Sequence, residues 1–184
     1  RKKLKKIDFD DMLVLCYELF SSRPDVLAGW QKKFRYILID EFQDINRIQY
    51  DVIRMLALPE NNLFVVGDDD QAIYGFRGAD SSLMFQFRED YPEAEQILLG
   101  MNYRSTANIV RNSLKVIEHN EHRFQKDLTA SKDNGACIHV QEVKDPNEEA
   151  QYILDEIEKK VQEGTEPEKI AVLFRIHTDA RPVV

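Results

Sequence analysis

Apolar residues Phe9, Met12, Leu13, Leu15, Cys16, Leu19 and Phe20 recur at the spacing of one helix face, and Asp8 stands where a carboxylate can accept from first-turn amides. The pattern predicts a helix over residues 8–20 with one buried face. Pro24 opens a second helix through about residue 34, because proline's missing N–H costs nothing in a first turn. Then the period changes. Tyr36, Ile37, Leu38 and Ile39 form an unbroken apolar run that ends in Asp40 and Glu41, the pattern of a strand covered on both faces in a parallel sheet.

Further along, the spacing predicts a helix over residues 46–58, a buried strand over 63–66 broken by Gly67, and a helix over 80–91. A third strand is expected over 96–99, followed by a helix from 105 to 118 capped by Ser105. Residues 126–135 read as a polar loop. A strand over 138–143, a helix over 146–162 and a last buried strand over 170–174 complete the series. Strands alternating with helices predict βαβ units, hence an α/β fold with a doubly wound parallel sheet. In such sheets ligands bind beyond the C-terminal strand ends. Asp40 and Glu41 fall at one such end, and Asp68, Asp69 and Asp70 at another.

The 184 residues, 43% of them hydrophobic, suffice for one large domain or two small ones. Cys16 and Cys137 stand far apart and form no CxxC pair, which argues against a disulfide framework or a zinc site. No apolar run reaches the roughly 20 residues of a membrane helix, so a soluble protein of the cytoplasm is expected. The net charge of -8 speaks against a surface that embraces nucleic acid everywhere. Local charge can still do so. The basic start, Arg1 to Lys6, reads as a solvated end, and His119 and His122 as a solvated helix terminus rather than metal ligands.

An acidic pair after a buried strand is, alone, as compatible with a helix cap as with chemistry. Here it continues as Asp40-Glu41-Phe42-Gln43-Asp44. The second strand leads into Gly67-Asp68-Asp69-Asp70-Gln71-Ala72-Ile73-Tyr74-Gly75-Phe76-Arg77-Gly78-Ala79-Asp80, and Asn102-Tyr103-Arg104-Ser105-Thr106 follows. In this order and spacing the three segments resemble the second, third and fourth motifs of the UvrD/Rep-type superfamily 1 DNA helicases. Asp8-Phe9-Asp10-Asp11-Met12-Leu13 matches as well, and the resemblance extends to about Arg175.

That resemblance implies a P-loop NTPase (RecA-like) fold, ATP and Mg2+ as cofactors, and single-stranded DNA and duplex junctions as partners. Asp40 matches the carboxylate that holds magnesium, and Glu41 the base that orients and deprotonates the attacking water. Gln43 and Gln71 match polar groups that contact the γ-phosphate region. Asp68 joins the acidic cluster with Asp40 and Glu41. Unit charges about 4 Å apart repel by roughly 4 kcal/mol at an effective dielectric near 20, so such a cluster needs a cation or solvent. Asp69 reads as a solvated loop charge, and for Asp70 that reading stays open.

Arg104 resembles the arginine that neutralises charge growing on the transferring phosphate, and Tyr103 the ring that stacks on adenine. Tyr74, Phe76 and Arg77 resemble the part of the third motif that faces single-stranded DNA, where rings stack on bases and a guanidinium meets phosphate. Many members carry tryptophan where this chain has Phe76. Without the motif, Tyr74, Phe76 and Tyr103 read as core aromatics and Arg104 as a surface residue.

The motor chemistry also needs a Gly-x-x-x-x-Gly-Lys-Ser/Thr loop to cradle phosphates, and none of the seven glycines is followed by lysine. The expectation is therefore an internal piece of a longer motor: residues 1–99 the later half of the first RecA-like domain, residues 100–184 the start of the second. The parent would be an ATP-dependent helicase of the 3′ to 5′ kind with a DNA repair or related role, and the isolated piece inactive. A non-catalytic interaction module that retains the motor fold is the alternative. A magnesium nuclease is a third reading, disfavoured by the glutamines and Arg104.

Overall fold

The computed structural model describes residues 6–176 together with Thr178 and Val183. The chain divides into two compact units, Arg1–Gly135 and Ala136–Val184. In the first, α1 (Phe9–Ser22) and α2 (Pro24–Lys33) precede β1 (Ile37–Ile39), α3 (Arg47–Ala57), β2 (Leu63–Val65) and α4 (Ser82–Asp90). The same unit continues with β3 (Met101–Asn102), α5 (Ala107–Ile117) and β4 (Thr129–Ala130). The second unit contains α6 (Pro146–Gln162), begun by an Asp145 side chain that accepts from the amides of Asn147 and Glu148. No helix among the described residues is long and apolar enough to cross a membrane.

Local chemistry explains where these helices start. Asp8 and Asp11 form a reciprocal capping box at α1, and Asn46 and Gln49 do the same at α3, so orphan first-turn amides find acceptors. Pro24 occupies the first turn of α2. α5 begins differently from expectation. Ser105 does not cap it; it lies in a turn before the helix, where the Asn102 Oδ1 accepts from the amides of both Arg104 and Ser105. Thr106 takes the cap position without a side-chain bond. The amides of Ala107 and Asn108 donate instead to the carbonyls of Asp133 and Asn134.

β1 and β2 pair in parallel, Ile37 opposite Leu63, Leu38 opposite Phe64 and Ile39 opposite Val65. β3 and β4 form a second parallel pair. The fold is thus α/β with small parallel sheets. The expected strands over 96–99, 138–143 and 170–174 are not formed, and the loop expected over 126–135 supplies β4. An apolar run becomes a strand only where a neighbouring edge takes its amides and carbonyls. Leu99, Val140 and Leu173 are exposed. Nor are β1 and β2 covered on both faces: Ile37, Ile39, Leu63 and Val65 turn inward, whereas Leu38 and Phe64 are exposed. Likewise α1 buries only Phe20, while Phe9, Met12, Leu15 and Leu19 stay exposed.

The core beneath the inner face consists of Phe42, Ile45, Tyr50 and Leu83, with Ile39, Ile53, Val65, Met84 and Phe87 packed around it. Phe42 meets Tyr50 and Phe87 edge-on at centroid distances of 5.8 and 5.5 Å. The Tyr50 hydroxyl donates to Asp90 Oδ2 at 2.7 Å, and burial together with that carboxylate pushes its ionisation well above the ordinary range. α3 and α4 are thereby tied under the strand ends. Leu83→Ala is expected to cost about 2–5 kcal/mol through the cavity it leaves. Phe76→Ala, at a residue 78% exposed, should cost within about 0.5 kcal/mol. Denaturant titration of the two variants beside the parent protein checks this contrast, and equal losses would contradict the assigned core.

Candidate functional site

The two parallel strands deliver two loops to one place. The Val66 amide donates to the Ile39 carbonyl at 2.8 Å, and the Phe42 amide to the Val66 carbonyl at 2.9 Å, so pairing persists beyond both strands. Asp40 and Glu41 emerge here, both exposed. Glu41 adopts a left-handed conformation (φ 51°), uncommon for any residue but glycine, asparagine or aspartate. Its amide donates to Asp40 Oδ1 at 3.0 Å.

Gln43 joins the two ends. Although polar, it is only 1% exposed, and both ends of its amide are used. Nε2 donates to Glu41 Oε2 at 2.7 Å, and Oε1 accepts from the Asp68 amide at 3.0 Å. Gly67 leaves room for this. A Cβ there would lie 2.8 Å from Gln43 Oε1 and 3.2 Å from the Phe42 nitrogen. Asp68 extends the chain of bonds, its Oδ2 accepting from Gln71 Nε2 at 2.7 Å and its Oδ1 from the Asp70 amide at 3.1 Å. Glu41, Gln43, Asp68 and Gln71 therefore form one continuous network.

Asp69 is not the solvated loop charge expected from sequence, and the reading left open for Asp70 is decided the same way. Their side chains are 2% and 11% exposed. Lys126, itself 9% exposed, places its ammonium against Asp68, Asp69 and Asp70 together. Arg123 grips Asp70 with two parallel hydrogen bonds of 2.9 and 2.7 Å. The Phe124 amide donates to Asp69 Oδ2 at 2.8 Å. Arg123 and Lys126 escaped the sequence reading because they lie more than fifty residues from the carboxylates they neutralise. The available signal was the need itself, since three adjacent carboxylates at a strand end require counter-charge.

The cation that Asp68 needs thus comes from the chain. Burial alone would raise the Asp68 carboxyl, but Lys126 and Gln71 hold it below the ordinary range. Arg123 first, then Lys126, depress Asp70 against the opposing effect of burial. Burial would lower the Lys126 ammonium, yet the three carboxylates raise it. Asp68, Asp69 and Asp70 lie close enough to share a metal ion, but the Lys126 ammonium sits among them, so the group does not fit one. Asp40 keeps an exposed carboxylate of hard oxygen atoms, which fits magnesium better.

The loop after Gln71 presents an aromatic surface. Tyr74 and Phe76 lie 5.9 Å apart by centroid, and the Arg77 guanidinium sits 5.2 and 5.4 Å from the two rings. Gly78 closes the turn at φ 85°. Phe76 and Tyr103 are 78% and 73% exposed, and Tyr74 is also exposed, so none is a core aromatic. Arg104 is exposed too, beyond β3. Among the described residues, no hydrogen bond or ion pair links the Arg104 or Tyr103 side chains to the network around Gln43. His119 hydrogen-bonds through Nδ1 to the Lys115 carbonyl.

The ion pairs set a pH dependence. Depressed carboxylates stabilise the folded state above their ordinary value of about 3.9 and lose that contribution as pH falls through the lower folded value. Lys126, being raised, contributes below about 10.4 and loses its share as pH rises through its higher folded value. Asp70→Asn should therefore lower the melting temperature by a constant amount from about pH 5 to 9, and the gap should narrow below about pH 4. Thermal melts across that range test it; a gap that widens on acidification contradicts the pairing.

Residues 1–92 match the family described as UvrD/REP helicase N-terminal domain, and residues 97–183 the UvrD-like helicase C-terminal domain. Over 183 residues, all of this chain and 24% of the relative, identity to YjcD of Bacillus subtilis (strain 168) is 46%. The ATP-dependent DNA helicases PcrA of Staphylococcus epidermidis (strain ATCC 12228 / FDA PCI 1200) and of Staphylococcus aureus (strain Mu50 / ATCC 700699) are 42% identical over 175 residues, 95% of this chain and 24% of theirs. The chain spans about a quarter of the length of these curated relatives. With one domain family matched up to residue 92 and its companion from residue 97, the chain belongs to the UvrD/REP helicase family.

Proposed function

We propose that the full-length polypeptide carrying this chain is an ATP-driven DNA helicase that moves 3′ to 5′ along single-stranded DNA and opens duplex junctions. The observation that carries the reading is the hydrogen-bonded line Glu41–Gln43–Asp68–Gln71, in which the buried Gln43 links a carboxylate able to accept a proton to the exposed Gln71 amide, able to sense a phosphate. In this reading residues 1–99 belong to the first RecA-like motor domain, built on a doubly wound sheet, and residues 100–184 to the second. PcrA relatives named as ATP-dependent DNA helicases support it. The cytoplasm is the compartment that suits such a motor.

Asp40 is the residue that would hold magnesium, through water, and the ion would there offset charge on the β- and γ-phosphates. Glu41 accepts a proton from water as the oxygen attacks the γ-phosphorus, and the bond from that phosphorus to the bridging oxygen breaks to release ADP. Gln43 keeps the Glu41 carboxylate aimed by donating to one of its oxygens and leaving the other for water. Gln71, exposed at the end of the network, presents its amide to the γ-phosphate. Arg104 neutralises charge on the transferring group, and Tyr103 stacks on adenine. Tyr74, Phe76 and Arg77 take single-stranded DNA, rings on bases and guanidinium on phosphate. Because Gln71 and Tyr74 share one loop, a nucleotide-dependent shift of Gln71 changes the DNA contact as well.

Glu41→Gln in the full-length polypeptide should cut ATP turnover by at least about 10²-fold while nucleotide binding persists. Wild-type turnover in that variant would remove Glu41 from the role of base. Tyr74→Ala should weaken single-stranded DNA binding by about 1–3 kcal/mol without a matching fall in melting temperature. Fluorescence titration with an oligonucleotide, beside a thermal melt, decides between stacking and a general folding defect. The isolated 184-residue chain should show no DNA-stimulated ATP hydrolysis; such activity would argue that phosphates are cradled by residues other than a Gly-Lys loop.

A further inference from the structure

The segment after α5 grips the third motif at more points than burial of a loop requires. Arg123 holds Asp70 in a two-pronged bond, the Phe124 amide holds Asp69, and Lys126 reaches Asp68, Asp69 and Asp70 together. The Phe124 ring stacks on Phe85 of α4 at 4.4 Å and 8°, with the Arg88 guanidinium 5.6 Å from it. All of these contacts join residues matched by the C-terminal domain family to residues matched by the N-terminal one. Asp68 is the junction. Its Oδ1 lies 2.5 Å from the Lys126 ammonium and its Oδ2 receives the Gln71 amide at 2.7 Å, so one carboxylate separates the lysine from the glutamine.

Stability gives no reason for this choice. A nearly buried ion cluster is often no more stabilising than apolar residues of the same volume, because desolvation offsets the attraction. What a charged cluster does fix is geometry. Without Lys126, the Asp70 amide would be left to hold Asp68 Oδ1, and the carboxylate that orients the Gln71 amide would be fixed less firmly. With Lys126, the Asp68 carboxylate is committed, and Asp40 and Glu41 remain as exposed carboxylates at the strand ends.

We propose that Lys126 is a positioning residue for ATP hydrolysis, acting through Asp68 on Gln71, and that Arg123 and Phe124 are the hook by which the segment after α5 seats it. The segment after α5, matched by the second family, thereby sets whether the phosphate-sensing amide in the first is in place. This rests on the helicase reading above. With the hook seated, Gln71 is held ready; with it released, Asp68 and Gln71 are freed together.

The test is steady-state ATP hydrolysis by the full-length polypeptide with single-stranded DNA. Lys126→Ala should lower kcat at least tenfold with KM for ATP changed less than threefold, and Lys126→Arg should recover most of the loss. Combined with Gln71→Ala, Lys126→Ala should add less than twofold to the loss that Gln71→Ala causes alone. Wild-type kcat in Lys126→Ala, or losses that multiply in the double variant, would overturn the proposal. Because Lys126→Ala leaves carboxylates uncompensated, the pair Lys126→Met with Asp69→Asn, which keeps the local net charge, is measured beside it. A tenfold kcat loss in that pair at wild-type melting temperature supports the positioning role, and wild-type kcat refutes it. Wild-type and Glu41→Gln controls separate the two levels: without wild-type turnover the helicase reading itself fails and takes this inference with it, whereas normal controls with an unaffected Lys126→Ala sink the inference alone.

Discussion

The buried amide of Gln43 is the group on which the site's geometry depends. Two parallel strands can bring their ends near each other, but side chains beyond a strand end are free to wander. Gln43 removes that freedom with one donor and one acceptor, the first taken by the Glu41 carboxylate and the second by the Asp68 backbone. Neither bond could be dropped cheaply, because an unpaired amide at that depth would bear its full desolvation cost. The glycine before Asp68 is part of the same arrangement, since a side chain there would displace the amide oxygen. The core beneath, with Phe42 next to Gln43 in sequence, anchors the same turn from below.

Much of this was readable from the sequence, and the reasons for success and failure differ by residue. Asp8, Asn46 and Pro24 mark helix starts because capping and proline geometry are local, and local rules do not depend on the rest of the chain. The strand pair was readable from its apolar runs. The runs over 96–99, 138–143 and 170–174 look alike in sequence but lack a neighbouring edge, and pairing partners cannot be inferred from hydropathy. Ser105 is not the cap because the helix begins at Ala107, and the amides of Ala107 and Asn108 donate to the distant carbonyls of Asp133 and Asn134.

At the site, the sequence identified residue types at strand ends but not their surroundings. Gln43 is expected from the motif to contact the γ-phosphate region, but the structure buries it and spends both ends of its amide on Glu41 and the Asp68 backbone, which residue type alone does not reveal. Asp69 differs from expectation because exposure depends on what covers a loop, and the cover over it and Asp70 comes from Arg123, Phe124 and Lys126, far away in the chain. Long-range charge compensation leaves only an indirect trace in sequence: too many adjacent carboxylates for water alone to accommodate comfortably.

The left-handed backbone of Glu41 bears on what kind of position this is. Glycine, asparagine or aspartate adopts that conformation with less strain, and glutamate brings a longer side chain without easing the turn. A chain tuned for folding alone would place one of those three here. The glutamate that stands here instead reaches the Gln43 amide with its carboxylate, against the preference of its own main chain. If Glu41 is the base proposed above, a stabilising redesign guided by backbone preference would replace that base, and thermal robustness and turnover would move in opposite directions at this position.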